Sequence, residues 1–176
     1  MGLMHPSLAT VACLAILAVG IPTALRGSPS VASTREPDPF AQLQGDAERG
    51  DVKAQYVLGC LYNGDRGHPR DPAKAAEWWS RAASGGSADA QFCFGLSRYL
   101  GEGVARDPAD AVRWWKKAAG QDNADAEYFL GLSCLKGLGT DRSTEQAVYW
   151  LRRSADQGNE QAAAQLARIG TVARLN

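Results

Sequence analysis

A single spacing governs this chain. Gly59, Gly95 and Gly131 lie 36 residues apart, as do Trp78, Trp114 and Trp150, and Ala54, Ala90, Ala126 and Ala162; Ala75, Ala111 and Ala147 keep the same step. The text around these columns repeats as AQYVLG, AQFCFG and AEYFLG, and as AAEWWSRAA, AVRWWKKAA and AVYWLRRSA. Self-similarity at a fixed period marks a stack of supersecondary units, none of which can bury its apolar face alone.

Each unit reads as two helices. Ala90, Phe94, Gly95, Arg98 and Tyr99 fall at the spacing of one helical face. A glycine inside a helix costs about 1 kcal/mol relative to alanine, so its recurrence points to a close helix crossing. Paired glycines follow, at Gly101 and Gly103 and at Gly137 and Gly139. Asp71-Pro72 and Asp107-Pro108 then supply an N-cap acceptor and a first-turn proline. In the second helix Ala75, Trp78 and Ala82 form a small-large-small stripe expected to bury the indole against a neighbouring unit.

The expected fold is therefore all-α, an α-solenoid of antiparallel helix pairs. Helices are placed near 38–49, 51–63, 72–84, 87–100, 108–119, 123–136, 143–156 and 159–169. The repeat domain spans 39–170, with three full repeats at 51–86, 87–122 and 123–158, a capping half-repeat at each end and a tail at 171–176.

Residues before the domain are of another kind. Leu8 to Leu25 carries no charge and is followed by a polar stretch rich in Pro and Ser. Its core, Leu8–Val19, is short for a bilayer span of about 20 residues, and Gly20 and Pro22 interrupt it. Residues 1–32 are expected to be a signal peptide, with Ala18-Val19-Gly20 or Ser30-Val31-Ala32 offering small residues for cleavage, and 33–38 a linker. Such a chain is periplasmic or secreted. The alternative is an uncleaved helix anchoring it to the inner membrane, since residues 1–7 lack Lys and Arg while Arg26 follows the apolar run.

The 19 basic and 19 acidic residues cancel, which argues against nucleic acid as a partner. Beyond the leader only His68 remains of two histidines, too few for a Ser/His/Asp site or a multi-histidine metal site, and it reads as a turn residue. Gly101-Glu102-Gly103-Val104 lacks the lysine and preceding strand of a phosphate loop. No cofactor, metal or small-molecule substrate is expected. Cys60 and Cys93 are compatible with a bond across neighbouring helices, leaving Cys134 over, but all three sit among apolar residues and are expected to be core thiols.

These residues resemble the Sel-1-like repeat family, a longer-period relative of the tetratricopeptide repeats. The resemblance spans about residues 50–169 and rests on Ala90-Gln91-Phe92-Cys93-Phe94-Gly95, on Gly101-Glu102-Gly103-Val104 with Asp107, and on Ala111 with Trp114-Trp115-Lys116-Lys117-Ala118-Ala119. The chain departs from the pattern where Arg98 and Cys134 stand in the column of Tyr62, where Asp65 replaces a loop glycine and where Ser143-Thr144 replaces Asp-Pro. The resemblance implies a non-catalytic adaptor or scaffold, exported in many bacterial members. It also implies a concave partner face at the positions three before, one after and four after the column glycine: Tyr56, Cys60 and Asn63; Phe92, Leu96 and Tyr99; Tyr128, Leu132 and Leu135. The same residues could instead be core. A protein or peptide partner is expected, with membrane contact only through an uncleaved N-terminus. The alternatives are an inhibitor or immunity protein neutralising an effector and, through cysteine-rich relatives whose cysteine pairing this chain lacks, a β-lactamase-like hydrolase.

Overall fold

A computed structural model describes residues 38–175, and side chains to residue 170. The expected signal segment, with Cys13 and His5, lies outside the described residues. Eight α-helices follow one another: α1 Pro39–Glu48, α2 Val52–Tyr62, α3 Pro72–Ser84, α4 Ala88–Leu100, α5 Pro108–Ala119, α6 Ala124–Lys136, α7 Thr144–Asp156 and α8 Glu160–Leu175, with a short 3-10 turn at Asp65–Gly67. Each packs on the next in the chain, giving the all-α solenoid. The full repeats are α2–α3, α4–α5 and α6–α7, with α1 and α8 as half-units. One boundary is corrected: α8 runs on to Leu175, through residues read as a tail, with no proline after Pro108 in the sequence to stop it.

Caps set the helix starts. Asp51, Asp71, Ser87, Asp107, Asn123 and Ser143 each accept a hydrogen bond from the backbone N–H three residues on. Ser143 does this at φ −149°, the value Asp107 adopts, so the loss of Asp-Pro leaves the third loop unchanged. Ser143→Ala should lower stability by about 1 kcal/mol in chemical denaturation, and Ser143→Asp should not. The first loop does differ. Without a glycine at Asp65, α2 ends two residues early and Arg66 takes a left-handed φ of 53°. Beside it His68 stacks on Phe40 at 5.0 Å, as a turn residue. Arg98, which stands in the column of Tyr62, closes the second loop instead by donating to Asp110, Asp107 and the Ala105 carbonyl.

The glycine column is the helix crossing point, and it is filled by the residue after the repeated Trp78, Trp114 and Trp150. A Cβ on Gly59 would lie 2.3 Å from Trp79, on Gly95 2.5 Å from Trp115 and on Gly131 2.6 Å from Leu151. Trp115 and Leu151 are fully buried and Trp79 nearly so, while Trp114 and Trp150 in the sequence-derived column are only half-buried; Trp78 is buried, at 8 % exposure. Helical phase explains this. Trp79 sits four residues after Ala75 and three before Ala82, on the face those alanines bury, and Trp78 is turned about 100° away. The first indoles face the preceding unit, a neighbouring unit as expected, though only Trp78 is buried there: it shares a core cluster with Ala47, and Trp114 packs against the cluster of Ala82, Ala83 and Ala90. A cation one turn on covers each outer ring: Arg81 at 4.5 Å, Lys117 at 3.8 Å and Arg153 at 5.6 Å. Cys60, Cys93 and Cys134 are all buried.

Two further contacts join the repeats. The second loop glycine sits directly on the preceding unit: a Cβ on Gly103 would fall 2.0 Å from the Pro72 carbonyl oxygen, and one on Gly139 2.1 Å from that of Pro108. A polar ladder runs beside them. Gln55 Nε2 donates to the Ala47 carbonyl at 3.0 Å and Gln91 Nε2 to the Ala83 carbonyl at 3.2 Å, while Gln91 Oε1 accepts from Gln121 at 2.9 Å. The third member of that column is Glu127.

Candidate functional site

The expected partner face lies along α2, α4 and α6, and the structure divides its nine residues. Phe92 and Leu96 are 3 % exposed, Cys60 6 % and Asn63 8 %. These four offer no surface to a partner, a correction whose cause is plain at Phe92, which the following repeat overhangs. Phe129 on α6 packs against Phe92 at 5.5 Å and against Trp115 at 5.2 Å, and Trp115 donates Nε1–H to the Phe92 carbonyl. Tyr56, Tyr99, Tyr128, Leu132 and Leu135 are half-buried, with one edge open.

Three of these half-buried residues lie on α6. Tyr128, Leu132 and Leu135 follow at steps of four and three, one helical stripe. On α4, Tyr99 stands in the column of Leu135 and is braced by Trp115 at 5.5 Å and by Arg106, whose guanidinium lies 5.9 Å above the ring and donates to the Tyr99 carbonyl. Leu100, 48 % exposed, follows Tyr99 at the end of α4; it lies outside the column scheme, which is why the repeat pattern did not single it out.

A second open surface was missed. Val148 and Tyr149 on α7 line a shallow cleft of about 440 Å³ with Arg152 and Arg153. Val148 stands in the column of Ala76 and Val112, which the following repeat buries. The signal was available in the columns, since an array's last full unit presents positions that every earlier unit covers. Among the described residues no group of three or more His, Cys, Asp or Glu side chains is placed to hold a metal ion, and no helix is long and apolar enough to cross a membrane.

Comparison with known proteins agrees with this architecture. The Sel1 repeat family model matches residues 52–87, 90–123 and 124–159. The chain is similar to c5321, a protective antigen of uropathogenic Escherichia coli with an SLR fold, at 33 % identity and a TM-score of 0.71, over 74 % of this chain and 28 % of that one. It is similar to a Sel1 repeat protein from Oxalobacter formigenes at 31 % identity and a TM-score of 0.68, over 70 % and 36 % of the two chains. These matches therefore span about a third or less of those longer proteins. Helicobacter pylori cysteine rich protein B, at 21 % identity and a TM-score of 0.57, over 73 % and 97 % of the two chains, shares the fold. No curated protein matches the chain. With three family repeats covering most of the solenoid in the register of its helix pairs, the chain belongs to the Sel1 repeat family, whose members are generally non-catalytic scaffolds for protein–protein interaction.

Proposed function

We propose that this chain is an exported adaptor that holds a protein or peptide segment against the open stripe on its first helices. One observation carries the reading: Tyr128, Leu132 and Leu135 form one half-open apolar stripe along α6, with half-buried Tyr99 and exposed Leu100 on α4. An open apolar patch on packed helices favours a partner over solvent, and aromatic anchors held by their neighbours supply most of the affinity of such sites.

The test is a crosslinking pull-down from cell envelopes, comparing the chain with a Leu132→Glu, Leu135→Glu variant. Both leucines are only half-buried, so the variant should keep its helical circular dichroism while recovery of the bound protein falls at least tenfold. Equal recovery would move the site to the loops or to the α7 cleft. Export rests on the uncharged run Leu8–Leu25. The expected product in a periplasmic or secreted fraction is a chain with a new N-terminus after Gly20 or Ala32; a full-length chain retained in the inner membrane would establish the anchor instead.

A further inference from the structure

Glu127 is the one charged side chain among the described residues that is wholly buried, at 0 % exposure. It lies at the joint between the second and third repeats, in the column where the earlier joints carry Gln55 and Gln91. Those glutamines show what a neutral group does there. Gln91 donates to the Ala83 carbonyl with its nitrogen and accepts from Gln121 with its oxygen. Glu127 keeps the second contact, accepting from Gln157 Nε2 at 2.7 Å, but an ionised carboxylate has no hydrogen to offer the Ala119 carbonyl, which is the counterpart of Ala83.

Arg153 supplies that donor. Its Nε lies 2.8 Å from Glu127 Oε1, and its Nη2 reaches both the Ala119 carbonyl, at 3.5 Å, and Asp122 at 2.7 Å. Arg153 on α7, Gln157 just after that helix and Asp122 ahead of α6 are the charged and polar groups that face the carboxylate.

We propose that this joint is a proton-operated latch: ionised Glu127 holds Arg153 across the repeat boundary, and protonated Glu127 takes over the donor role of glutamine and releases Arg153 to the surface. The step adds one proton from solvent to a carboxylate oxygen and changes no other covalent bond. Arg153 is prepared for release, because its remaining side-chain partners are Asp122, the Tyr149 hydroxyl and the half-buried Trp150 ring, of which Asp122 and Tyr149 are exposed. The balance at Glu127 favours the protonated form more than in water. Burial raises its pKa above the ordinary value, and it outweighs the opposing pull of Arg153 and Gln157, while Asp122 adds to the rise.

NMR of the labelled chain between pH 7.5 and 4 tests this. The Glu127 Cδ resonance should titrate with a midpoint above the ordinary glutamate value of 4.5, and the Arg153 Nε resonance should move with the same midpoint. In Glu127→Gln the Arg153 resonance should sit at its low-pH position throughout, in a fully folded protein. A Glu127 midpoint at or below the ordinary value, an Arg153 signal that stays still while Glu127 titrates, or a Glu127→Gln chain that does not fold would each overturn the latch.

Discussion

Replacing Arg153 with methionine should destabilise the chain by about 3 kcal/mol at neutral pH, at the low end for breaking a buried ion pair because the guanidinium is one-third exposed. The loss comes less from the arginine's own contacts than from the carboxylate it leaves behind. Glu127 would remain at 0 % exposure with only Gln157 to answer its charge. Two recoveries should follow. Adding Glu127→Gln should restore most of the stability, since it recreates the joint formed by Gln91 and Gln121. Lowering the pH should do the same. The folded state of the single variant binds a proton more readily than the unfolded chain, so its stability rises as pH falls through the raised pKa of Glu127 towards the ordinary value and is lost as pH rises again. Urea titrations of the four-member cycle at two pH values measure all of this. If Arg153→Met were additive with Glu127→Gln, the pair would not be coupled and the account of the joint would fail.

Gly103→Ala should cost about 3 kcal/mol, and Gly67→Ala about 1. Both glycines have left-handed backbones, with φ of 73° and 79°, and both are the second glycine position of their loops. An alanine pays about 1–2 kcal/mol for that conformation at either site. Only at Gly103 would the new methyl strike something: the Pro72 carbonyl, 2.0 Å from its oxygen and 2.3 Å from its carbon. Backbone cannot rotate out of the way as a side chain can, so overpacking adds about 1–3 kcal/mol. At Gly67, where the array has no earlier full repeat to press against, nothing lies within 4 Å. The difference in melting temperature between the two variants isolates the stacking contact from the backbone preference; equal effects would show that the contact carries no weight.

How far these features could be read from the sequence depends on which were periodic. The repeats, the helix starts and the crossing at the glycine column all follow from spacing, and the helix ends mostly fall within a residue or two of expectation. Phase was harder. Adjacent tryptophans stand in the first two repeats, with Trp150-Leu151 in the third, and only the alanine face around them decides which residue of each pair meets the glycine. The partner face suffered from a different gap. Spacing shows which side of α4 carries Phe92 and Leu96, but not that Phe129 from the next unit covers them. The polar ladder was in plain view in the AQ, AQ and AE dipeptides, yet glutamine on a helix ordinarily faces water, and nothing local reveals that a carbonyl waits for it.

The seating of Gly103 on Pro72 and of Gly139 on Pro108 reaches beyond stability. A bare backbone resting on a bare carbonyl is a hard stop, with no side-chain rotamer to absorb a change in spacing. Two such stops in succession fix the pitch between units as a ruler fixes an interval. On the reading proposed above, a guest would meet a spacing already set, so little of its binding energy would go into bending the host, and selectivity would fall to whichever guest matches that interval.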